Sequence, residues 1–395
     1  MQYRVLGSNG PRVSALGFGT MRFKMVDDQV DEDLAISVLH RAMDLGVNYF
    51  DSAVGYCNAQ SETVLGKALK GRREGKVIST KYPPWGERTL KADDCRRMIE
   101  QSLSRLDIDV IDVYQMHSLD WETAQKELAK GGAVDGARKA KEEGLVKRLG
   151  FSFHDDPKRM IDIIQAAPDF EVVTCQYNLL DRANEDSMAH VYQRGLGVVV
   201  MGPVAGGRLG FPSEKIQNLL PSGTKSSPEI ALRFVLSNPN VSVAISGMNT
   251  IEMVDENAAT ASREEPLSDD ERERIIAMLE ENKRLADLYC TGCGYCMPCP
   301  NGVTIPFVFY LLNEIYYWGE RGRARISYFY NRLVKTMEDL ERRKSEGEEV
   351  EGAACLCIQC GDCLDKCPQG IDIPTMMEKT DDIFDKGKKI SEVID

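Results

Sequence analysis

Apolar positions recur along the first 260 or so residues in two alternating rhythms. Short apolar runs lie at Ala15–Met21 and at 47–51, 76–81, 110–117, 147–152, 171–177, 197–202 and 241–246, the pattern of buried strands. Between them apolar residues follow helical spacing at 61–70, 91–106, 123–143, 157–167, 187–195 and 228–237, with a further run at 251–261. An earlier run, between the first two strands, carries Leu34, Val38, Leu39, Ala42 and Leu45 on one face and closes at Gly46, a residue suited to a helix end. Ahead of it, Gly-Ser-Asn-Gly-Pro within residues 3–13 reads as a hairpin turn. Strands alternating with helices imply a parallel sheet with crossover connections. Eight repeats in about 250 residues match a closed (β/α)8 barrel. A doubly wound open sheet ranks second, since no G-x-G-x-x-G follows the first strand.

The rhythm then changes. Ser268-Asp-Asp-Glu271 is a capping box opening a charged helix to about Leu288. Beyond it, nine of the 12 cysteines fall between Cys290 and Cys367. Cys290, Cys293, Cys296 and Cys299 form one copy of a repeat and Cys357, Cys360, Cys363 and Cys367 the other, each ending in Cys-Pro-(Asn/Gln)-Gly-x-x-Ile-Pro. The second copy is the C-x2-C-x2-C-x3-C-P run of ferredoxins, whose last cysteine serves the other cluster. Two [4Fe-4S] clusters follow, one on Cys290, Cys293, Cys296 and Cys367, the other on Cys357, Cys360, Cys363 and Cys299. A four-cysteine zinc site is the alternative; triplets that share a distant fourth Cys-Pro suit it poorly. The stretch between the copies is aromatic from Phe307 to Tyr330 and charged from Glu338 to Glu351, and reads as two helices. The expected organisation is a barrel at 1–265, a linking helix at 266–288 and a small, mostly helical dicluster ferredoxin-like domain at 289–395.

Charge narrows the partners. A formal net charge of -13 argues against a nucleic-acid or anionic-membrane surface, either of which needs a basic face. The start has no basic segment followed by an apolar one, and no apolar run approaches the roughly 20 residues of a membrane span. The expectation is a cytoplasmic protein acting on a small molecule.

A barrel gathers its chemistry at the carboxyl ends of its strands. Asp51 ends the second strand, Lys81 the third and His117 the fourth, while Tyr56 lies in the loop after the second. A phenol titrates near 10, so a neighbouring cation is needed to make it a usable acid or base. Lys81, paired with Asp51, is expected to lower the pKa of Tyr56, and His117 to orient a carbonyl oxygen. His154, in a loop at the same face, is a candidate for substrate contact, and Trp85 and Trp121, in the loops after the third and fourth strands, are candidate pocket walls.

These residues resemble the aldo-keto reductases. The match runs in order through Ala-Leu-Gly-Phe-Gly-Thr-Met, Asp51 to Tyr56, Ser-Thr-Lys81, Tyr-Gln-Met-His117, Leu-Gly-Phe-Ser152, Cys-Gln176-Tyr-Asn and Glu256-Asn257, over nearly all of residues 1–262. The resemblance implies a TIM barrel that reduces aldehydes or ketones with NAD(P)H, with Asp51, Tyr56, Lys81 and His117 as catalytic tetrad. It further implies that Ser152 and Gln176 hold the nicotinamide carboxamide, that Thr20 and Asp51 lie near its ribose, and that Asn257 belongs to the nucleotide contacts. The chain departs from the family where a Lys and an Arg grip a 2'-phosphate: Gly247 and Met253 stand there, with Glu252 beside the second. Met201 replaces a common stacking Tyr, and Phe153 a common Asn.

Two functions remain in view. One is an oxidoreductase acting on a small carbonyl or alcohol, its clusters exchanging electrons with a ferredoxin-like redox partner protein. A flavin near Gly202, Gly206 and Gly207 would then convert two-electron to one-electron steps. The other is a non-catalytic iron-sulfur carrier or redox-sensing subunit on a retained barrel scaffold.

Overall fold

The computed structural model describes residues 1–83, 90–204, 226–281, 290, 294–318, 333–348, 350–367 and 370–394. Two compact units divide the chain, one of residues 1–204 with 228–272 and the other of 205–227 with 273–395.

In the first unit eight parallel strands close into a barrel: Leu16–Gly19, Tyr49–Asp51, Val77–Tyr82, Ile111–Leu119, Val146–Phe153, Val172–Gln176, Gly197–Met201 and Val243–Ser246. The eighth strand closes on the first, with Ala244 opposite Leu16 and Ser246 opposite Phe18. Helices with buried apolar stripes return the chain between strands, as in Ala92–Leu106, whose Cys95, Met98, Ile99 and Leu106 are buried.

The pleat explains what fills the barrel. Side chains two apart share a face, so Tyr49, Val77, Val113, Val172 and Val243 point inward together and form one apolar cluster with Leu6 and Val13. Leu6 and Val13 come from the N-terminal hairpin, whose strands Tyr3–Val5 and Arg12–Ser14 pair antiparallel. Burying each such aliphatic side chain contributes about 1.5–3 kcal/mol. Two and four residues further along the same inward faces stand Asp51, Ser79, Lys81, Gln115 and His117. One rotational phase per strand therefore places apolar residues at one level of the barrel and polar ones at the other.

Two local features differ from the sequence pattern. The helical run at 123–143 is two helices, Trp121–Leu128 and Ala133–Glu142. Gly131 in a left-handed conformation breaks it, and Gly132 bridges back to Lys91. An unanticipated second hairpin, Met25–Val26 with Gln29–Val30, follows the first barrel strand. Its turn residues Asp27 and Asp28 both adopt positive φ, as a two-residue hairpin turn requires.

The second unit has its own core. Helices Ile305–Trp318 and Ile373–Phe384 each begin just after a cysteine motif, with Pro306 and Pro374 in their first turns. The Asp372 carboxylate caps the second by accepting from Thr375 N at 3.2 Å. Val308, Phe309, Leu312, Met377, Ile383 and Phe384 pack together, joined by Leu333 and Val334 from a short strand parallel to Glu351–Gly352. Among the described residues, the helices between the motifs are Ile305–Trp318 and Met337–Ser345; the stretch at 319–332 lies outside the described residues, as does the linking helix beyond Glu281. No helix among the described residues is long and apolar enough to cross a membrane.

Candidate functional site

Lys81 is almost fully enclosed at 2% exposure, and its Nζ lies 2.5 Å from Asp51 Oδ1. It also donates to the Ser52 carbonyl at 2.7 Å. The other Asp51 oxygen accepts from Ser79 Oγ at 3.0 Å and from Gln115 Nε2 at 3.4 Å, while Gln115 donates to Ser79 at 2.8 Å. Ser79 and Gln115 thus orient the carboxylate, a role the sequence reading missed. Lys81 Nζ stands 5.1 Å from the Tyr56 ring centroid. His117 meets the Tyr56 ring edge-on, centroids 5.9 Å apart at 81°. The structure therefore gathers Asp51, Tyr56, Lys81 and His117 at one mouth.

Lys81 acts on Tyr56 in the expected direction, but burial outweighs it. Burial pulls the Lys81 ammonium down, but the Asp51 carboxylate and Tyr56 outweigh it and hold Lys81 above its usual range. Burial also pushes the Tyr56 phenol up; Lys81 opposes that shift and Asp51 adds to it, and the net result lies above the ordinary phenol value rather than below. Desolvation exceeds the single nearby cation because the same carboxylate that fixes Lys81 disfavours a phenolate. Tyr56 is thus a protonated acid throughout the neutral range.

Local backbone conformation presents these groups. After Tyr56, Cys57, Asn58 and Ala59 all have positive φ, +52°, +53° and +62°, each costing about 1–2 kcal/mol for a residue with a side chain. Hydrogen bonds offset that cost: Gln60 Nε2 and Asn58 Nδ2 donate to Asp28 O at 3.0 and 3.2 Å, and Gln60 Oε1 accepts from Val30 N at 2.9 Å. The unpredicted hairpin consequently buttresses the Tyr56 turn. After His117 the register slips between Met116 and Leu119, and Ser118 takes φ +54°. Such a bulge re-aims the side chain beside it.

The nucleotide candidates are dispersed around the same end of the barrel. Thr20 Oγ1 donates to Asp51 O at 3.1 Å and meets Ser61 Oγ at 2.5 Å. Ser152 Oγ accepts from Ser118 N at 2.7 Å, so its own proton is what it offers a ligand. Gln176 ends the sixth strand against Gly202, where a Cβ would come within 2.8 Å of Gln176 Oε1. Asn257 is buried and donates to Ser246 Oγ at 3.2 Å. Arg22, an exposed cation from the loop after the first strand, lays its stem across Gly247; a Cβ there would stand 2.7 Å from Arg22 Cγ. Phe153 is buried edge-on to Phe151, and burial lowers the His154 pKa. Trp121 begins the helix after the fourth strand, its backbone N–H donating to Asp155 Oδ2 at 2.8 Å. Trp85, Gly206 and Gly207 lie outside the described residues.

In the second unit, Cys299, Cys357, Cys360 and Cys363 line one pocket together with Cys296. Four thiols converging from two distant motifs form an all-sulfur donor set. Cys290 and Cys296 are buried in the same core and Cys367 packs against it, while Cys293 lies outside the described residues.

Comparison with known proteins follows these two halves. The model of the Aldo/keto reductase family matches residues 15–280, and that of a 4Fe-4S dicluster domain matches residues 289–371. The L-galactose dehydrogenase of Arabidopsis thaliana is 28% identical over 316 residues, covering 72% of this chain and 96% of that protein. A probable voltage-gated potassium channel subunit beta of Oryza sativa is 26% identical over 338 residues, 73% of this chain and 100% of its own. Among solved structures, the holo form of an aldo-keto reductase from Bacillus halodurans superposes with a TM-score of 0.60 at 28% identity, covering 70% of this chain and 96% of that one.

Proposed function

The chain belongs to the aldo/keto reductase family and carries a 4Fe-4S dicluster domain at its C-terminal end, and from that premise we propose that its barrel interconverts a small carbonyl compound and its alcohol with NAD(P)H. The observation that carries this reading is the buried Lys81–Asp51 pair set against Tyr56 and His117. Asp51 keeps Lys81 charged in a desolvated site, and Lys81 points its proton at the phenol oxygen. Tyr56 gives its proton to the substrate oxygen as negative charge develops there, and His117 orients that oxygen from the other side. In the alcohol-oxidising direction Tyr56 takes the proton back.

The residues present fit a nicotinamide nucleotide. Gly202 leaves room beside the Gln176 amide that a Cβ would fill, and Ser152 offers a donor in the adjoining strand. Ser152 and Gln176 would hold the carboxamide, with Thr20, Asp51 and Asn257 nearer the rest of the nucleotide. When bound, the nicotinamide supplies the hydride. No observation on the described residues favours a flavin.

The C-terminal cysteines fit iron-sulfur clusters, since several soft thiolates lining one pocket select such groups. Cys299, Cys357, Cys360 and Cys363 would hold one [4Fe-4S] cluster and Cys290, Cys293, Cys296 and Cys367 the other. These clusters would exchange electrons with a redox partner protein. A second reading, a non-catalytic redox subunit on the same scaffold, draws on the match to a protein described as a probable channel subunit beta rather than as an enzyme.

The test is anaerobic purification with iron, sulfide and cofactor analysis, followed by turnover of small aldehydes and ketones with NADH and with NADPH. About eight iron and eight sulfide per chain and nucleotide-dependent carbonyl reduction are expected. A fully loaded protein that turns over no carbonyl with either nucleotide, and in which Tyr56→Phe changes no turnover with any electron donor, would favour the second reading instead.

A further inference from the structure

The two cysteine sets differ in how the fold presents them. Cys290 and Cys296 are each only 8% exposed, whereas Cys360 is exposed at the tip of its loop. Ile358 beside it is 69% exposed and Leu364 is 43% exposed. A single exposed aliphatic residue is ordinary. Here two of them bracket an exposed cysteine within one short loop, and Leu364 lies against Gly361, where a Cβ would be 3.6 Å from Leu364 Cδ1. The surroundings are predominantly acidic. Asp362 and Asp365 are exposed in the same loop, and Gln359 Nε2 donates to Glu378 Oε2 at 2.9 Å, holding a third carboxylate beside it; Lys366 is the one cation of the loop. An apolar centre with a charged rim is the make-up of a specific protein contact, and a small one suits a transient redox encounter.

We propose that the loop at 357–366 is the docking face for a one-electron carrier protein whose own redox group is ringed by lysine and arginine. Electrons enter and leave through the cluster on Cys299, Cys357, Cys360 and Cys363. This rests on the iron-sulfur reading of those cysteines. Each encounter would move one electron: a cluster held by these cysteines would pass from a 1+ to a 2+ core as the carrier's redox group is reduced, or the reverse, and no bond would be made or broken. The carboxylates steer the basic partner and set its rate of approach, while Ile358 and Leu364 seat it over the exposed ligand.

The experiment uses the full, cluster-loaded chain, reduced with dithionite and freed of excess, mixed with cytochrome c as a cationic one-electron probe. The second-order rate of cytochrome reduction is expected to fall at least about tenfold between low and physiological ionic strength. Carbodiimide coupling is expected to cross-link the probe to Asp362, Asp365 or Glu378. Asp362→Lys with Asp365→Lys is expected to slow cytochrome c at low salt by about tenfold while leaving reduction of a small neutral quinone unchanged. A wild-type rate that is flat or rises with salt overturns the proposal without any variant, as do cross-links at another surface or between two copies of this chain at this loop. Electron paramagnetic resonance keeps the premises apart. Missing reduced-cluster signals sink the iron-sulfur reading itself, whereas normal signals with salt-independent transfer sink only the docking face.

Discussion

Lys81 is a cation that the fold has removed from water, and its charge survives only because Asp51 stands 2.5 Å away. Replacing Asp51 by Asn leaves a buried ammonium without a counterion, a change that costs about 3–5 kcal/mol. Thermal melts should show that loss at neutral pH. In the native protein Lys81 is held above its ordinary pKa. Its contribution to stability is therefore complete below about pH 10.4, the free lysine value, and disappears as pH rises through the folded value. A melt series from pH 7 to pH 12 should be level at first and fall only at its alkaline end. For Tyr56→Phe the expected result is a loss of about 10²- to 10⁴-fold in carbonyl reduction, with nucleotide affinity by fluorescence quenching unchanged. Because burial keeps the phenol protonated, native kcat/KM for reduction should stay level through neutral pH and decline only above the ordinary phenol range. Asp51, Tyr56, Lys81 and His117 could be read from the sequence because strand ends mark the chemistry of a barrel. Ser79 and Gln115 could not, since inward polar residues on a strand carry no label until the closed barrel brings them to one carboxylate.

At the level of elements, strand positions followed directly from apolar runs, while interruptions depended on contacts. The run at 123–143 has unbroken helical period, yet it is divided at Gly131–Gly132, where the chain bridges back to Lys91. The following helix then packs so close to Ala92–Leu106 that a Cβ on Gly136 would overlap the Ala92 carbonyl oxygen. Gly136→Ala should accordingly lower stability by about 1–3 kcal/mol despite the better helix propensity of alanine. A denaturant midpoint equal to that of the parent would show that the two helices can separate freely. The second hairpin escaped notice for a related reason. Its strands are two residues each, too short for a period, and its importance comes from Asp28 and Val30 meeting Asn58 and Gln60 some thirty positions on.

For the whole molecule, the two compact units rest on different forces: the barrel on a large apolar interior, the C-terminal unit on a smaller core whose cysteines line a cavity. Cluster ligation in such a unit is also folding free energy. Calorimetry of the loaded protein should resolve two transitions, and oxidative removal of iron with a chelator should abolish the C-terminal one while leaving the barrel transition in place. A single unaltered transition would mean that the cysteines add nothing to the fold. The sequence by itself determined the eight-strand barrel, the cysteine repeat and the candidate tetrad, because period, spacing and strand-end position are local properties of the chain. Only tertiary structure decided that burial outweighs Lys81 at the Tyr56 phenol, that Arg22 lies across Gly247, and that Cys290 and Cys296 are buried while Cys360 is exposed. Each of these depends on how much water is excluded around a group and which distant groups replace it, and both are set only when the chain closes on itself.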